Sequence, residues 1–165
     1  MLPERVRDYL LIDLESAPDV LTRLLADVSD PAVSNRRPDP DRFTLCEMVA
    51  HLAGWETAFL TRLTQTRDEE NATLQGLDEG QVAIDNDYAH ADPSECLARY
   101  HAGREKIVTF LRALTPAQWE RSGNHTEVGP LTMLDQAILI AALDGYHRQQ
   151  TVCYVSGEEA RAKAA

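Results

Sequence analysis

The chain has 165 residues, of which 44% are hydrophobic and 26% charged, and a formal net charge of −11. This length fits one domain with its own core, and the composition argues against disorder, collagen or a disulfide scaffold. The negative charge disfavours nucleic acid and anionic membranes, no apolar run could span a bilayer, and the start MLPERVRDYL lacks a secretory signal, which together predict a cytoplasmic protein.

The first predicted element is an amphipathic helix over Pro3–Val28, where apolar residues recur at spacings of three, four or seven. Pro18 lies inside this stretch and is expected to interrupt and bend the helix. Residues 29–41 (SDPAVSNRRPDPD) contain three prolines among Asp, Asn and Ser, a composition that predicts a loop.

Thr44 and Glu47 have the spacing of a capping box, which predicts a second helix from there to about Thr66. The following stretch, residues 67–91, is acidic and rich in turn residues, and it shows no clear helical period. We expect a long loop with at most a short helix. Loops of this length in compact domains are usually functional or mobile, so this loop is a candidate lid over a site.

A third helix is predicted from the capping signal at Asp92 and Pro93. Its stripe comprises Leu97, Tyr100, Arg104, Ile107, Val108, Leu111 and Leu114. Thr115 and Gln118 then mark a short helical turn. A loop over residues 121–130 contains His125.

The last predicted helix opens at Thr132 and runs to about Val155, with Gly157 as its stop signal. No segment alternates with period two, so no sheet is predicted. Four long helices predict an all-α four-helix bundle, with a single domain over residues 1–157 and a frayed tail over residues 158–165.

Two histidines lie on apolar helix faces. His51 lies beside the core stripe of the second helix, four residues before Trp55, and His147 shares a face of the last helix with Leu143 and Gln150. Each taken alone is typical of a hydrogen-bonded core histidine. Together they predict two imidazoles facing each other inside the bundle, where facing helices often build metal sites. Two ligands alone do not make such a site.

Other candidate residues have plainer interpretations. Glu56 is interpreted as a solvated helix charge or, alternatively, as a partner of His51. The three cysteines form no CxxC pair and are interpreted as buried small hydrophobes: Cys46, Cys96 and Cys153.

Four blocks of the sequence resemble the DinB family in their order and spacing. These blocks are FTLCEMVAHLAGWE, DNDYAHADPSE, TPAQWERSGNHTEVGPLTMLD and DGYHRQQ. The family comprises DNA-damage-inducible proteins related to the YfiT-like thiol transferases, and is unrelated to the polymerase of the same name. The resemblance covers nearly the whole chain. It implies a four-helix bundle of up-down-down-up topology, often a homodimer, commonly with nickel or zinc held by three histidines.

By this resemblance, His51 and His147 match the first and last metal ligands, and Leu143 stands where the middle ligand belongs. Losing one of three ligands is expected to leave the metal weakly bound or absent. Two replacements are conceivable: Asp144 as an oxygen ligand, or His125 reaching the cavity from its loop. The residues expected to line that cavity are Leu143, Trp55, Gln150 and His125.

These features favour a DinB-like, stress-associated protein of unassigned activity. Its metal site would be degraded, and the old cavity would bind a small molecule or a protein partner. The alternative is an enzyme, namely a divalent-metal-dependent thiol transferase or hydrolase acting on a small electrophile. There the metal would lower the pKa of a thiol or water. A third possibility is a structural homodimer whose function lies in its interface.

Overall fold

Seven α-helices, one 3₁₀ helix and a small sheet make up the described part of the chain. The computed structural model describes residues 3–26, 28, 31–37 and 42–156. The helices are α1 Glu4–Leu25, α2 Pro31–Ser34, α3 Leu45–Asp68, α4 Glu79–Asp85, α5 Pro93–Arg112, α6 Pro116–Trp119 and α7 Met133–Ser156, with the 3₁₀ helix at Tyr88–His90. Within these ranges, no helix combines the length and apolar content needed to cross a bilayer.

The four long helices, α1, α3, α5 and α7, form the predicted four-helix bundle. Helices α3 and α1 each pack against both α5 and α7, so the first two long helices lie diagonally across the bundle. Two apolar clusters fill it. One contains Leu14, Phe59, Ile107 and Ile140, and the other contains Leu21, Met48, Tyr100 and Tyr154, so each draws on all four helices.

Local capping signals start three of the four long helices, α3, α5 and α7, where the sequence predicts. Thr44 Oγ1 accepts a hydrogen bond from the Glu47 N–H at 3.2 Å, and the Glu47 carboxylate accepts from the Thr44 N–H at 2.7 Å. This is the predicted capping box, and α3 begins directly after it. Asp92 caps α5, and the predicted turn at Thr115 forms α6.

Three predictions, two about the C-terminal end of the chain and one about the first loop, concern residues that lie wholly or partly outside those described. The predicted stop at Gly157 and the tail over residues 158–165 lie outside them, as do parts of the predicted loop over residues 29–41. The described part of that loop contains the short helix α2. Cys96 and Cys153 are buried as predicted, whereas Cys46 is half-buried, and all three are free thiols.

The predicted absence of a sheet is wrong. Strands β1 Thr73–Leu74, β2 Ser122–His125 and β3 Gly129–Thr132 form one sheet. β1 pairs in parallel with β2, and β2 pairs antiparallel with β3. These strands have two to four residues and carry Gly, Ser, Asn and Pro, so they show no hydrophobic alternation. The predicted loop over residues 67–91 likewise contains β1, α4 and the 3₁₀ helix.

Helix α1 continues through Pro18 without the predicted interruption. Proline has no N–H, so the Leu14 carbonyl lacks its usual helical donor four residues ahead. Instead, Arg104 Nη1 of α5 donates to this carbonyl at 3.0 Å. The proline therefore frees an acceptor that a side chain from another helix uses.

Arg104 lies at the boundary between the two apolar clusters, with only 2% of its surface exposed. Its Nε and Nη2 donate to Glu56 at 3.1 and 2.8 Å. Its Nη1 and Nη2 donate to Asp144 at 2.5 and 3.0 Å, and Tyr100 donates to the same carboxylate at 2.6 Å. With the Leu14 carbonyl, all five N–H groups of the guanidinium have acceptors. A buried charge is tolerated only when it is paired in this way.

Glu56 is buried, so its interpretation as a solvated helix charge is wrong. Burial raises the pKa of the Glu56 carboxyl above its ordinary value, while the hydrogen bond and charge of Arg104 act in the opposite direction. The reason for the error is the position of the partner. Arg104 lies on another helix, 48 residues along the chain.

Replacing Arg104 should destabilise the bundle strongly. Arg104→Met leaves two buried carboxylates without their cation and should lower the free energy of unfolding by about 3–5 kcal/mol. Arg112→Met is the matched control, because Arg112 pairs with Glu15 on the exposed surface and should cost roughly 0–1 kcal/mol. Urea denaturation followed by circular dichroism measures the free energy of unfolding of both variants. Equal losses in the two variants would show that the buried ion pairs of Arg104 do not stabilise the bundle more than a surface ion pair does.

The raised pKa of Glu56 predicts a pH dependence of a definite sign. The folded protein holds the proton of Glu56 more tightly than the unfolded chain does. The contribution of Glu56 to the free energy of unfolding is therefore largest below the ordinary pKa of 4.5. This stabilising contribution is lost as the pH rises from 4.5 through the raised pKa of Glu56. Glu56→Gln cannot titrate, so the stability of the wild type relative to this variant should fall over that window. Melting temperatures of both proteins from about pH 4 to about pH 8 test this, and parallel curves would contradict it.

Candidate functional site

His51 of α3 and His147 of α7 face each other inside the bundle, as the sequence predicts. Their ring centroids are 5.1 Å apart, and the two residues are only 1% and 6% exposed. Helical periodicity places each of them on an inward face. The packing of α3 against α7 then brings the two faces together.

Aromatic side chains surround this pair. Phe43, Trp55 and Tyr88 lie with their ring centroids 5.1, 5.7 and 6.5 Å from that of His51. Tyr146 lies 5.1 Å from His147, measured in the same way. We call the set of seven residues the histidine cluster: Phe43, His51, Trp55, Tyr88, Tyr146, His147 and Gln150.

The tautomer of His51 is fixed by Trp55. The indole N–H of Trp55 donates to Nδ1 of His51 at 3.0 Å. An indole N–H can only donate, so Nδ1 must accept and carries no proton. In the neutral imidazole the proton is therefore on Nε2, and His51 offers a donor there and no lone pair.

His147 has the opposite arrangement. Its Nδ1 lies 2.8 Å from the amide oxygen of Gln150, whose amide nitrogen donates to the Tyr146 hydroxyl at 2.9 Å. With the amide in this orientation, Nδ1 of His147 donates its proton and Nε2 keeps a lone pair. The two imidazoles thus have complementary protonation: an N–H on His51 and an acceptor on His147.

Two residues near His147 on α7, Leu143 and Asp144, make contacts outside the cluster. Leu143, one turn earlier, is half-buried and packs against the apolar cluster that contains Leu14. The Asp144 carboxylate accepts hydrogen bonds from Arg104 and Tyr100, as described above. Its predicted role as a replacement ligand is therefore opposed by an ion pair that already uses both of its oxygens.

His125 is the last residue of β2 and is buried, whereas the sequence predicted a loop residue. Its Nδ1 accepts a hydrogen bond from the Glu127 N–H at 3.3 Å. Burial lowers the pKa of His125, and the nearby positive charge of Arg62 adds to this effect. The guanidinium of Arg62 in turn lies over the Trp55 ring, 5.2 Å from its centroid.

The donor groups do not fit a three-ligand metal site. Among the residues described, no three His, Cys, Asp or Glu side chains are arranged to hold one metal ion. Catalytic zinc-type sites need three protein ligands with free lone pairs. His51 presents a proton at Nε2, Leu143 has no donor atom, and the Asp144 oxygens are engaged. What the cluster can offer is a hydrogen-bond donor on His51 and an acceptor on His147.

Sequence reasoning missed three aromatic residues of the cluster. Phe43 directly precedes the capping box, at the position where an apolar residue often packs back on the first helical turn, so a signal was available. Tyr146 stands next to His147, but adjacency on a helix does not indicate contact. Tyr88 lies in the predicted loop, where no periodicity locates a side chain.

Comparison with known proteins gives the family. YfiT from Bacillus subtilis, described as a probable metal-dependent hydrolase with an unusual four-helix bundle topology, is a similar solved structure with a TM-score of 0.87. It is 21% identical in sequence, and the match covers 96% of this chain and 92% of that one, so the similarity shows the fold alone. No curated protein matches the sequence. The sequence model of the DinB superfamily matches residues 13–151, most of the chain. The chain therefore belongs to the DinB superfamily.

Proposed function

We propose that this protein binds a small molecule at the histidine cluster without a catalytic divalent metal. In this view the three-histidine site that the family resemblance implies is degraded. The observation that carries the proposal is the hydrogen bond from Trp55 to His51 Nδ1. It keeps the proton of His51 on the nitrogen that would face a shared metal.

The other two ligand positions support the same conclusion. A metal bound at His51 Nε2 would have to displace the proton there or break the Trp55 hydrogen bond. Leu143 supplies hydrocarbon at the middle position, and moving Asp144 to the metal would leave Arg104 buried with a broken ion pair. Metal binding would therefore oppose three separate interactions of the folded protein.

The cluster's chemistry favours a small, flat, largely apolar ligand. Binding sites for small molecules commonly combine aromatic walls with a few polar groups that fix orientation. Here the walls include Phe43, Trp55 and Tyr88, and the polar groups are the two imidazoles. A ligand with one donor and one acceptor, such as an aromatic amide, matches the N–H of His51 and the lone pair of His147.

A metal-dependent hydrolase or thiol transferase is the second candidate. The description of YfiT as a probable metal-dependent hydrolase favours it. So does His147, whose Nε2 lone pair is of the kind that a metal requires. This candidate needs a further ligand and a different protonation state of His51, so it predicts stoichiometric metal in the isolated protein.

Metal content separates the two candidates. Protein purified without a metal-affinity tag should contain no stoichiometric nickel or zinc by elemental analysis. Leu143→His should improve binding of both metals, and adding Trp55→Phe should improve it by about a further tenfold, because His51 can then protonate Nδ1 and free Nε2. Isothermal titration measures these affinities, with Leu143→Gln as the control. Metal in the wild type that is lost in His147→Ala would instead support the enzyme.

Ligand preference tests the binding proposal directly. Benzamide, which carries a donor and an acceptor, should bind more tightly than toluene, which carries neither. This preference should disappear in His147→Ala, because the acceptor is removed. NMR titration of the histidine side-chain signals measures both ligands. If neither compound binds, or if both bind equally in wild type and variant, the cluster does not recognise such ligands.

A further inference from the structure

A short segment connects the small sheet to α5 and covers one side of α3. We call residues 78–91 the strap. It contains α4, which has no buried residue, and the 3₁₀ helix Tyr88–His90. Ile84, for example, is 73% exposed. In contrast, Tyr88 is only 3% exposed, and its ring lies edge-on to Phe43 and His51. The half-buried side chains of Val82, Ala83 and Ala91 also pack against the apolar cluster that contains Tyr88. Tyr88 is the one fully buried residue of the strap and therefore its main anchor on the bundle.

The docked position of Tyr88 carries local costs. Its hydroxyl is buried and finds no hydrogen-bond partner among the residues described, although buried polar groups are nearly always paired. Burial also raises the pKa of this hydroxyl. The preceding residue, Asp87, has a φ of 49°, in the left-handed region that non-glycine residues rarely adopt. Burial of the aromatic ring must offset the unpaired hydroxyl and the positive φ, which makes the net free energy of docking less favourable.

The Tyr88 hydroxyl packs against Gly54 of α3, and we call this contact the seat of Tyr88. A Cβ atom at this position would collide with the Tyr88 hydroxyl. Glycine is unfavourable in the middle of a helix, so its presence here fits a close approach by another group. Gly145 in the middle of α7 differs, because a Cβ there would meet only the end of the Arg148 side chain at 3.9 Å.

We propose that the strap is a gate for the histidine cluster, which opens as a unit when Tyr88 leaves its seat on Gly54. Opening uncovers the edge of His51 that the Tyr88 ring covers, while the four long helices stay packed around Arg104. Segments with few buried contacts open before the core does. The role of the gate in admitting a ligand rests on the proposed function, but opening itself does not.

Hydrogen exchange with mass spectrometry tests the gate without any ligand. In the wild type, amides of the strap should exchange faster than those of α3 and α5. Tyr88→Phe removes the unpaired hydroxyl and should slow exchange in the strap by about fivefold or more. Gly54→Ala should accelerate it by about tenfold, because the new methyl group blocks the seat. Gly145→Ala is the matched control and should leave the strap unchanged.

A second reporter follows the cluster itself. Diethyl pyrocarbonate acylates a ring nitrogen that has a lone pair, which in this pair is Nε2 of His147. Its modification should become faster in Gly54→Ala, and the double variant Gly54→Ala/Tyr88→Phe should partly reverse this. The melting temperature of Gly54→Ala should remain close to that of the wild type. The gate is refuted if the strap exchanges as slowly as α3, or if Gly54→Ala accelerates exchange uniformly across the bundle. If Gly54→Ala does not fold, Tyr88→Phe alone tests the gate, because it should slow hydrogen exchange in the strap. Failure of benzamide to bind would leave these results intact.

Discussion

The guanidinium of Arg104 is the interaction on which the arrangement of this bundle depends. It extends from α5 and reaches α1 through the Leu14 carbonyl, α3 through Glu56 and α7 through Asp144. Because a buried cation needs every donor paired, the four helices are held at one level along the bundle. Pro18 takes part in this arrangement, since the missing N–H leaves the Leu14 carbonyl open to Arg104.

The Arg104 network also determines the relative position of the two histidines of the cluster. His51 precedes Glu56 by five residues on α3, and His147 follows Asp144 by three on α7, so the network fixes how their rings meet. The ion pair with Arg104 gives Asp144 a structural task next to the position where the family resemblance places a ligand. The ion pair of Asp144 with Arg104 requires no metal. The bundle can therefore keep its fold with Leu143 at this position, because the packing and the charges that hold the helices together are independent of metal binding.

The sequence predicts those features that depend on neighbouring residues. The capping box of Thr44 and Glu47 is local, and helical periodicity alone places His51 and His147 on inward faces. The sheet escapes prediction because its strands are short and polar and gain their stability from partners far along the chain. The burial of Glu56 is not predictable for the same reason, since nothing near it in the sequence indicates its partner Arg104. The contact of Tyr88 with Gly54 joins a loop to a helix, and no spacing rule describes it.

Trp55 and Leu143 together affect whether His51 can act as a metal ligand. A histidine that binds a metal through Nε2 usually donates its Nδ1 proton to an acceptor, which strengthens it as a ligand. Trp55 reverses this arrangement, because an indole N–H cannot accept a proton. A tryptophan in this place is unfavourable for a metal site and favourable for a neutral Nε2–H donor. The family resemblance places a third ligand where this chain has Leu143, and on that basis both positions change the site in the same direction. The two imidazoles are then complementary, with a proton on Nε2 of His51 and an acceptor on His147, and the proposed ligand binding depends on this pair.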